Sequence, residues 1–384
     1  MSLNLQRNTK VYITDKALRI ADGDFNASNT WELPVLEGFT FSQAQDSTQI
    51  TVNEAGASPI RGSTTFNTSL QPAEWSLSTY IRSYVATDSG VPTDSVQVID
   101  AIMWHALASN QAPAFDPDSA NTIKGQLASF NVDFASSNAH VLRELEMYFK
   151  IENVWYQIDG VQVNQAEIDF SIDGIGQVTW TGQGTNLTEV AAPNIVTPVD
   201  GLATDWVNRD TAGTYLTFPN TATYIKNKLS TISLTASSTN PEDPDQVYSV
   251  PVTGGNLTIT NNITFLTPST LSVVDKPIGS FTGARQISGS LTCYLNTGAG
   301  NSASLLKALA DTSAVKNSYA LVINAGGETL GNPVAIFSMP YAHLSVPAIE
   351  SADVIGLNIE FAAQGQLGVD STDELTVAFE VAKA

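Results

Sequence analysis

Four segments of this chain recur, in the same order, in its second half. NKLSTISLT at 227–235 echoes NTKVYIT at 8–14, and YSVPVTGGNLTI at 248–259 echoes WELPVLEGFTFS at 31–42. FTGARQISGSLTCYL at 281–295 matches FNTSLQPAEWSLSTYI at 66–81, and ADVIGLNIEFAAQG at 352–365 matches IDGIGQVTWTGQG at 172–184. The period far exceeds the ~20–50 residues of a solenoid repeat. It predicts a duplicated domain, with copy one at 1–185, a linker rich in Pro, Thr and Asn at 186–221, and copy two at 222–384. A chain of 384 residues suits two such units, each large enough to bury its own core.

Short alternating segments separated by Gly, Pro, Asn, Asp and Ser point to a mainly β (α+β) class: two tandem domains, each an antiparallel sandwich or barrel with a flanking helix. Strands are expected at 10–14 and 230–235, a long one at 74–85, and another at 288–296. A meander is expected at 142–151, 154–163 and 166–174, with counterparts at 334–346 and 356–365. One helix is predicted in each copy. The first spans 95–109, with Val98, Ile102 and Leu107 on one face, and the second spans 301–313, with Ser302 or Ser304 as N-cap.

The charge balance is acidic, 38 Asp and Glu against 17 Lys and Arg, for a net −21. Such a surface repels nucleic acid and keeps a concentrated protein soluble. The single cysteine, Cys293, excludes an intrachain disulfide and reads as a small buried side chain. The N-terminus lacks the apolar region of a secretory signal, and no apolar run approaches the ~18 residues of a membrane span. The expected site of synthesis and folding is therefore a cytoplasm.

Enzyme chemistry is not visible. His105, His140 and His343 are scattered, and no Cys/His pair has metal-ligand spacing. No nucleophile elbow, phosphate loop or dinucleotide fingerprint occurs; the glycines of GIGQVTWTGQG read as strand ends and bulges. Glu144 with Glu146, and Glu167 with Asp169, are each two apart and so share a strand face, whereas a glycosidase needs carboxylates opposed across a cleft. The acidic loops at 116–121 and 241–246 lack the calcium-loop pattern, and the N-x-[ST] sites at Asn67, Asn186 and Asn262 are expected by chance in so Thr- and Asn-rich a chain. No cofactor or metal is expected.

Long stretches in both copies resemble the tail tube (major tail) protein of long-tailed siphophages of the T-five-like group. They include MSLNLQRNT at 1–9, STQITVNEAG at 47–56, PIRGSTTFNTSLQPAEWSLSTYI at 59–81, MWHALAS at 103–109 and QVNQAEIDFSIDGIGQVTWTGQG at 162–184. YIKNKL at 224–229, PVTGGNLTITNNITFLTP at 251–268 and PIGSFTGARQISGSLTCYLN at 277–296 extend the likeness into copy two. The resemblance implies a structural virion protein assembled in the host cytoplasm: homotrimeric, pseudo-hexameric rings stacked around a DNA-conducting channel. Implied partners are further copies of the chain, tail tip and distal tail proteins, the tape measure protein, the tail terminator, and double-stranded DNA in transient passage. Members of the group can carry a C-terminal immunoglobulin-like domain; the residues after Gly365 are too few for one. The alternatives are a carbohydrate-binding or adhesin-type β-protein and a secreted surface-array protein.

Within a tube, the strands at 74–85 and 289–296 and the segment at 166–174 are the inner-wall candidates. Alternation would turn Ile168, Phe170 and Ile172 to the core and leave Glu167, Asp169 and Asp173 facing the lumen; the opposite reading puts those carboxylates outside. The long connections at 52–66 and 261–281 are the candidate ring-stacking loops, with Asn53, Glu54, Arg61, Asn262, Thr267 and Lys276 as their contact residues.

Overall fold

A computed structural model describes residues 9–16, 25, 30–51, 62–88, 91–108, 130–132, 134, 140–193, 224–237, 245–267, 276–311, 318–326, 333–350, 354–366 and 373–381. The first half contains β1 (Thr9–Asp15), β2 (Thr30–Leu33), β3 (Thr40–Ile50), β4 (Thr64–Tyr80), β5 (Ser83–Asp88), β6 (Val91–Val98), α1 (Ala101–Ala108), β7 (Phe130–Val132), β8 (Leu145–Ile151), β9 (Val154–Asp169), β10 (Gln177–Gly184) and β11 (Asn186–Val190). The second contains β12 (Thr231–Ala236), β13 (Val247–Tyr248), β14 (Val252–Thr260), β15 (Ile263–Leu266), β16 (Gly279–Thr282), β17 (Gln286–Tyr294), α2 (Ser302–Asp311), β18 (Tyr319–Ala325), β19 (Pro333–Leu344), β20 (Ala348–Glu350), β21 (Gly356–Ala363) and β22 (Thr376–Val381). The fold is mainly β, with antiparallel pairing between the strands.

One pairing scheme runs through both halves. β2–β1–β8–β9 in the first is matched by β13–β12–β18–β19 in the second. The series β3–β4–β10–β9 is matched by β14–β17–β21–β19. β9 carries the design in one continuous strand where the sequence suggested two. Its first part pairs with β8 and β11, and from Gln162 on it pairs with β10. The change of sheet falls at Gly160, whose φ of +59° suits glycine and where a side chain would press on Thr185. β1, β2, β8 and the inner faces of β4, β9 and β10 thus pack into one core with Val11, Trp31, Phe149, Trp75, Ile168 and Trp180.

The halves are interleaved. The outer part of β9 pairs with β14, setting Ile168 opposite Leu257 and Ala166 opposite Ile259. β22 returns from the chain's end to pair with β19 and with β7 of the first half. A single buried cluster spans both halves. At its centre the Trp104 ring lies 5.0 Å from Trp180, 5.4 Å from Phe379 and 6.2 Å from Phe337. Polar side chains fasten the same boundary. Asn261 Nδ2 donates to the carbonyls of Leu107 and Val163, and the Arg285 guanidinium donates to those of Ala108 and Phe134 while lying over the Phe134 ring.

Several sequence expectations need correcting. The helix expected at 95–109 begins only at Ala101, because Val91–Val98 is β6, paired with β5. Alternating Val96 and Val98 favour the strand, and Asp100 starts the helix by accepting the Met103 and Trp104 amides at its carbonyl. α1 is not amphipathic: all eight residues are buried, as expected for a helix apolar on every side. Neither Ser302 nor Ser304 caps α2 in the expected way; the Ser302 amide, first in the helix, donates to Asn296 Oδ1. The strand expected at 74–85 breaks at Ile81 and Arg82, after which the chain leaves the large sheet for the β5–β6 ribbon. Residues 186–190, placed in the linker, form β11 on β9.

Glu144 and Glu146 do not share a face. Glu144 is exposed and bound by Lys16 at 2.8 Å, whereas Glu146 is fully buried and accepts from Tyr148 Oη. β8 starts only at Leu145, so strand alternation does not reach Glu144. Cys293 is buried, as expected, and burial pushes its thiol up to about 11.

Candidate functional site

Strands β3, β4, β10, β9, β14, β17 and β21 lie side by side in one continuous sheet. At ~4.8 Å per strand the array is about 30 Å wide. Alternation gives it two unlike faces. Trp75, Leu77, Val178, Trp180, Ile168, Leu257, Ile259, Leu291 and Ile359 are buried on one side.

The other side is a set of polar rows. One row runs Ala362, Ser288, Thr258, Glu167, Thr179, Ser78. The next runs Glu360, Ser290, Asn256, Asp169, Gln177, Tyr80. A third carries Gln286, Thr260, Gln165, Thr181, Ser76 and Thr40. Hydroxyls and amides bond along these rows, as in Ser78 Oγ with Thr179 Oγ1 at 3.0 Å and Ser290 Oγ to Asn256 Oδ1 at 3.0 Å. Glu74, Glu167, Asp169 and Glu360 are exposed on this face. From Gln162 onward in β9, and throughout the other six strands, the sequence contains no Lys, Arg or His.

This face can present hydroxyl, amide and carboxylate groups to a polyanion without offering one cation to hold it. An ordinary phosphate-binding surface is the reverse, a cluster of Lys and Arg that releases counterions. Glu167 and Asp169 are exposed side by side on this polar face of β9. Asp173 is exposed too, but in the turn after β9. Ile172, expected in the core, is 42 % exposed because β9 ends at Asp169 and alternation ends with it.

The ends of the sheet differ. At one end β3 and β4 continue past β10 as a two-stranded arm, exposed at 44–50 and 64–67. β15 and β16 form a second, shorter hairpin there. Parts of the connections at 52–66 and 261–281 are thus strand rather than loop. Asn53, Glu54 and Arg61 lie outside the described residues. Thr267 and Lys276 are exposed beside β15 and β16. Asn262 lies at the junction of β14 with β15: its φ is +51°, its Nδ2 donates to the Ala284 carbonyl, and its own carbonyl accepts the Gly283 amide.

At the opposite end Asn227, from the start of the second half, grips the turn after β9. Its Nδ2 donates to the Asp169 and Ser171 carbonyls and its amide to Gly174. No sequence motif marks Asn227, Asn261 or Arg285, although each lies within a recurring or family-like stretch. Among the described residues no group of three or more His, Cys, Asp or Glu could hold a metal ion, and no helix is long and apolar enough to cross a membrane.

Interleaved antiparallel β-sheets with a polar, cation-free face and projecting hairpins suit a structural building block, and comparison with known families gives the class. The phage tail tube protein family matches residues 21–363, and the chain belongs to that family. Tail tube protein pb6 of Escherichia phage T5 is 40 % identical over 365 residues, covering 94 % of this chain and 73 % of that protein. The chain is thus a structural component of the phage tail, assembling with its own kind into a tube.

Proposed function

We propose that the two halves, 1–185 and 222–384, are copies of one tube domain, and that three chains close into a ring of six such domains around the DNA path. The observation that carries this is the β9–β14 pairing. It joins the halves edge to edge and leaves the matching edges open: β3 has β4 as its only strand partner among the described residues, and residues 343–344 of β19 pair only with β21. Residue matching supports a particular seam between chains. Ala166 lies opposite Trp180 as Leu344 lies opposite Phe361, and Ile259 flanks Ile287 as Phe41 flanks Trp75. The pairing of Ala166 with Ile259 therefore becomes Leu344 with Phe41 of the next chain. Closure removes both free edges.

Size supports the same count. Counting β19 with β20 as one, each chain supplies about eight wall strands, so three supply about 24, well beyond the 16–18 at which a barrel encloses an open channel. Cryo-EM of the tube is expected to show three chains per ring with pseudo-sixfold density; six chains per ring overturn the reading.

The polar rows face the channel, with Glu167 and Asp169 in the wall and Asp173 at its rim. Lys at these three positions would place cations along every ring, and phosphate contacts accumulate. Genome ejection from virions carrying Glu167→Lys, Asp169→Lys and Asp173→Lys is expected to slow and to become salt-sensitive. Unchanged ejection through correctly assembled tubes excludes a luminal position.

The connections at 52–66 and 261–281, with the hairpins that carry them, bridge to the adjacent ring, and Thr267 and Lys276 are exposed where they would meet it. Tail tip, distal tail, tape measure and terminator proteins meet the tube at its ends and bore, and assembly takes place in the host cytoplasm.

A further inference from the structure

Most large apolar side chains exposed among the described residues fall at the two ends of the wall sheet. Ile50, Phe66, Leu266, Ile278 and Phe281 belong to the hairpins beyond one end. Ile172, Ile175, Leu229, Val354 and Ile355 gather at the other, beside the turns that lead into β10 and β21. Apolar patches at opposite ends of one molecule make a heterologous contact, which repeats along a line instead of closing.

The receiving end has a shaped seat. A cleft of about 270 Å³ opens between the turn after β9 and the start of β14, lined by Phe170, Ile172, Lys228, Val250, Val252 and Ile323. Lys228 is exposed at its rim.

The two hairpins are not equal candidates for it. β15–β16 is held to its own body: Phe265 is buried, Ser280 Oγ donates to Gln162 Oε1, and Thr282 Oγ1 donates to the His140 carbonyl. The β3–β4 arm is longer and is exposed on both faces toward its tip. A lone two-stranded ribbon is marginal in water and gains most from a partner. The arm sequence also carries Asp46 and Glu54 against one Arg61, an acidic excess that suits Lys228.

We propose that the β9–β14 cleft is the seat for the β3–β4 arm of another copy of this chain in the adjacent ring, with Phe66 meeting Ile172. This rests on the reading of the arms as bridges between rings, but not on the number of chains in a ring.

The test uses full-length protein carrying Phe66→Cys and Ile172→Cys, with each single variant and the parent as controls. Cys293 is buried and does not compete. Oxidation of assembled tubes is expected to give a ladder of disulfide-linked chains from the double variant and none from the single ones. Tubes of the double variant that give no ladder overturn the proposal. So does a ladder from Phe281→Cys with Ile172→Cys in place of the first pair, because it assigns the seat to the other hairpin. A second pair of variants reads assembly directly. Ile172→Asp and Phe66→Asp, both at exposed positions, are expected to keep the parent's melting temperature and lose tubes at least tenfold by electron microscopy; tubes of parental length from either overturn the contact. The symmetry of the rings is measured separately, so failure of the three-chain reading and failure of this seat give different results.

Discussion

Replacing Trp104 by Ala is expected to cost about 3–5 kcal/mol of unfolding free energy, at the upper end for a single side chain. The indole is wholly buried. It stands edge-on to Trp180 at 80° and also meets Phe337 and Phe379, so its removal leaves a cavity shared by α1, β10, β19 and β22. β19 and β22 belong to the other half of the chain, and the loss should therefore not stay local. Urea titration should show one lowered midpoint, and hydrogen exchange should show α1 and β22 losing protection together. A cost below about 1 kcal/mol, or protection lost in α1 alone, would contradict the picture of a single core.

The second large effect is a dependence on pH centred on Asp100. Burial pushes this carboxyl up to about 6 from an ordinary 3.8, opposed chiefly by the hydrogen bond from Thr79 Oγ1 at 2.9 Å. The folded state thus holds its proton more tightly than the unfolded chain. The contribution of the neutral acid is complete below about pH 4 and is lost as pH rises through 6. About two pKa units correspond to about 3 kcal/mol withdrawn at neutral pH. Asp100→Asn keeps an acceptor for Thr79 and removes the titration. The variant should match the parent near pH 4 and exceed it in stability at pH 7, by up to about 3 kcal/mol. A gap between the two proteins that stays flat from pH 4 to pH 7 would show that Asp100 is not the titrating group.

What could be read from the sequence was what is local or repeated. EWSLSTY and QVTWTGQG alternate cleanly because each strand has one face on the core and one on the polar rows, and Glu167 and Asp169 were placed exposed on that basis. The recurring segments fall in strands that pair in matching series in the two halves. The junctions were not visible. Nothing near Asp169 announces that it will lie opposite Asn256, and nothing in the last residues shows that Phe379 will reach Trp104. Such contacts join positions far apart in the chain and leave no periodic trace. α1 was misplaced at its start because Val96 and Val98 fit a helical and a strand pattern equally; pairing with β5 decides. Asn227, Asn261 and Arg285 act through main-chain carbonyls, which any sequence supplies, so no partner motif marked them.

The seam between β9 and β14 also bears on how quickly a ring can be put together. Two edges carried on one chain meet at an effective concentration set by their tether, whatever the abundance of the protein. A ring of six separate domains would need every seam to form by encounter, each with its own loss of translational and rotational freedom, estimated at about 4–15 kcal/mol. In the proposed ring of three chains, joining the domains in pairs would reduce those encounters by half. The seams made by encounter then limit the rate, and only they respond to dilution. Tubes losing material at low protein concentration should therefore shed whole chains from their ends, with the β9–β14 seam still closed in each.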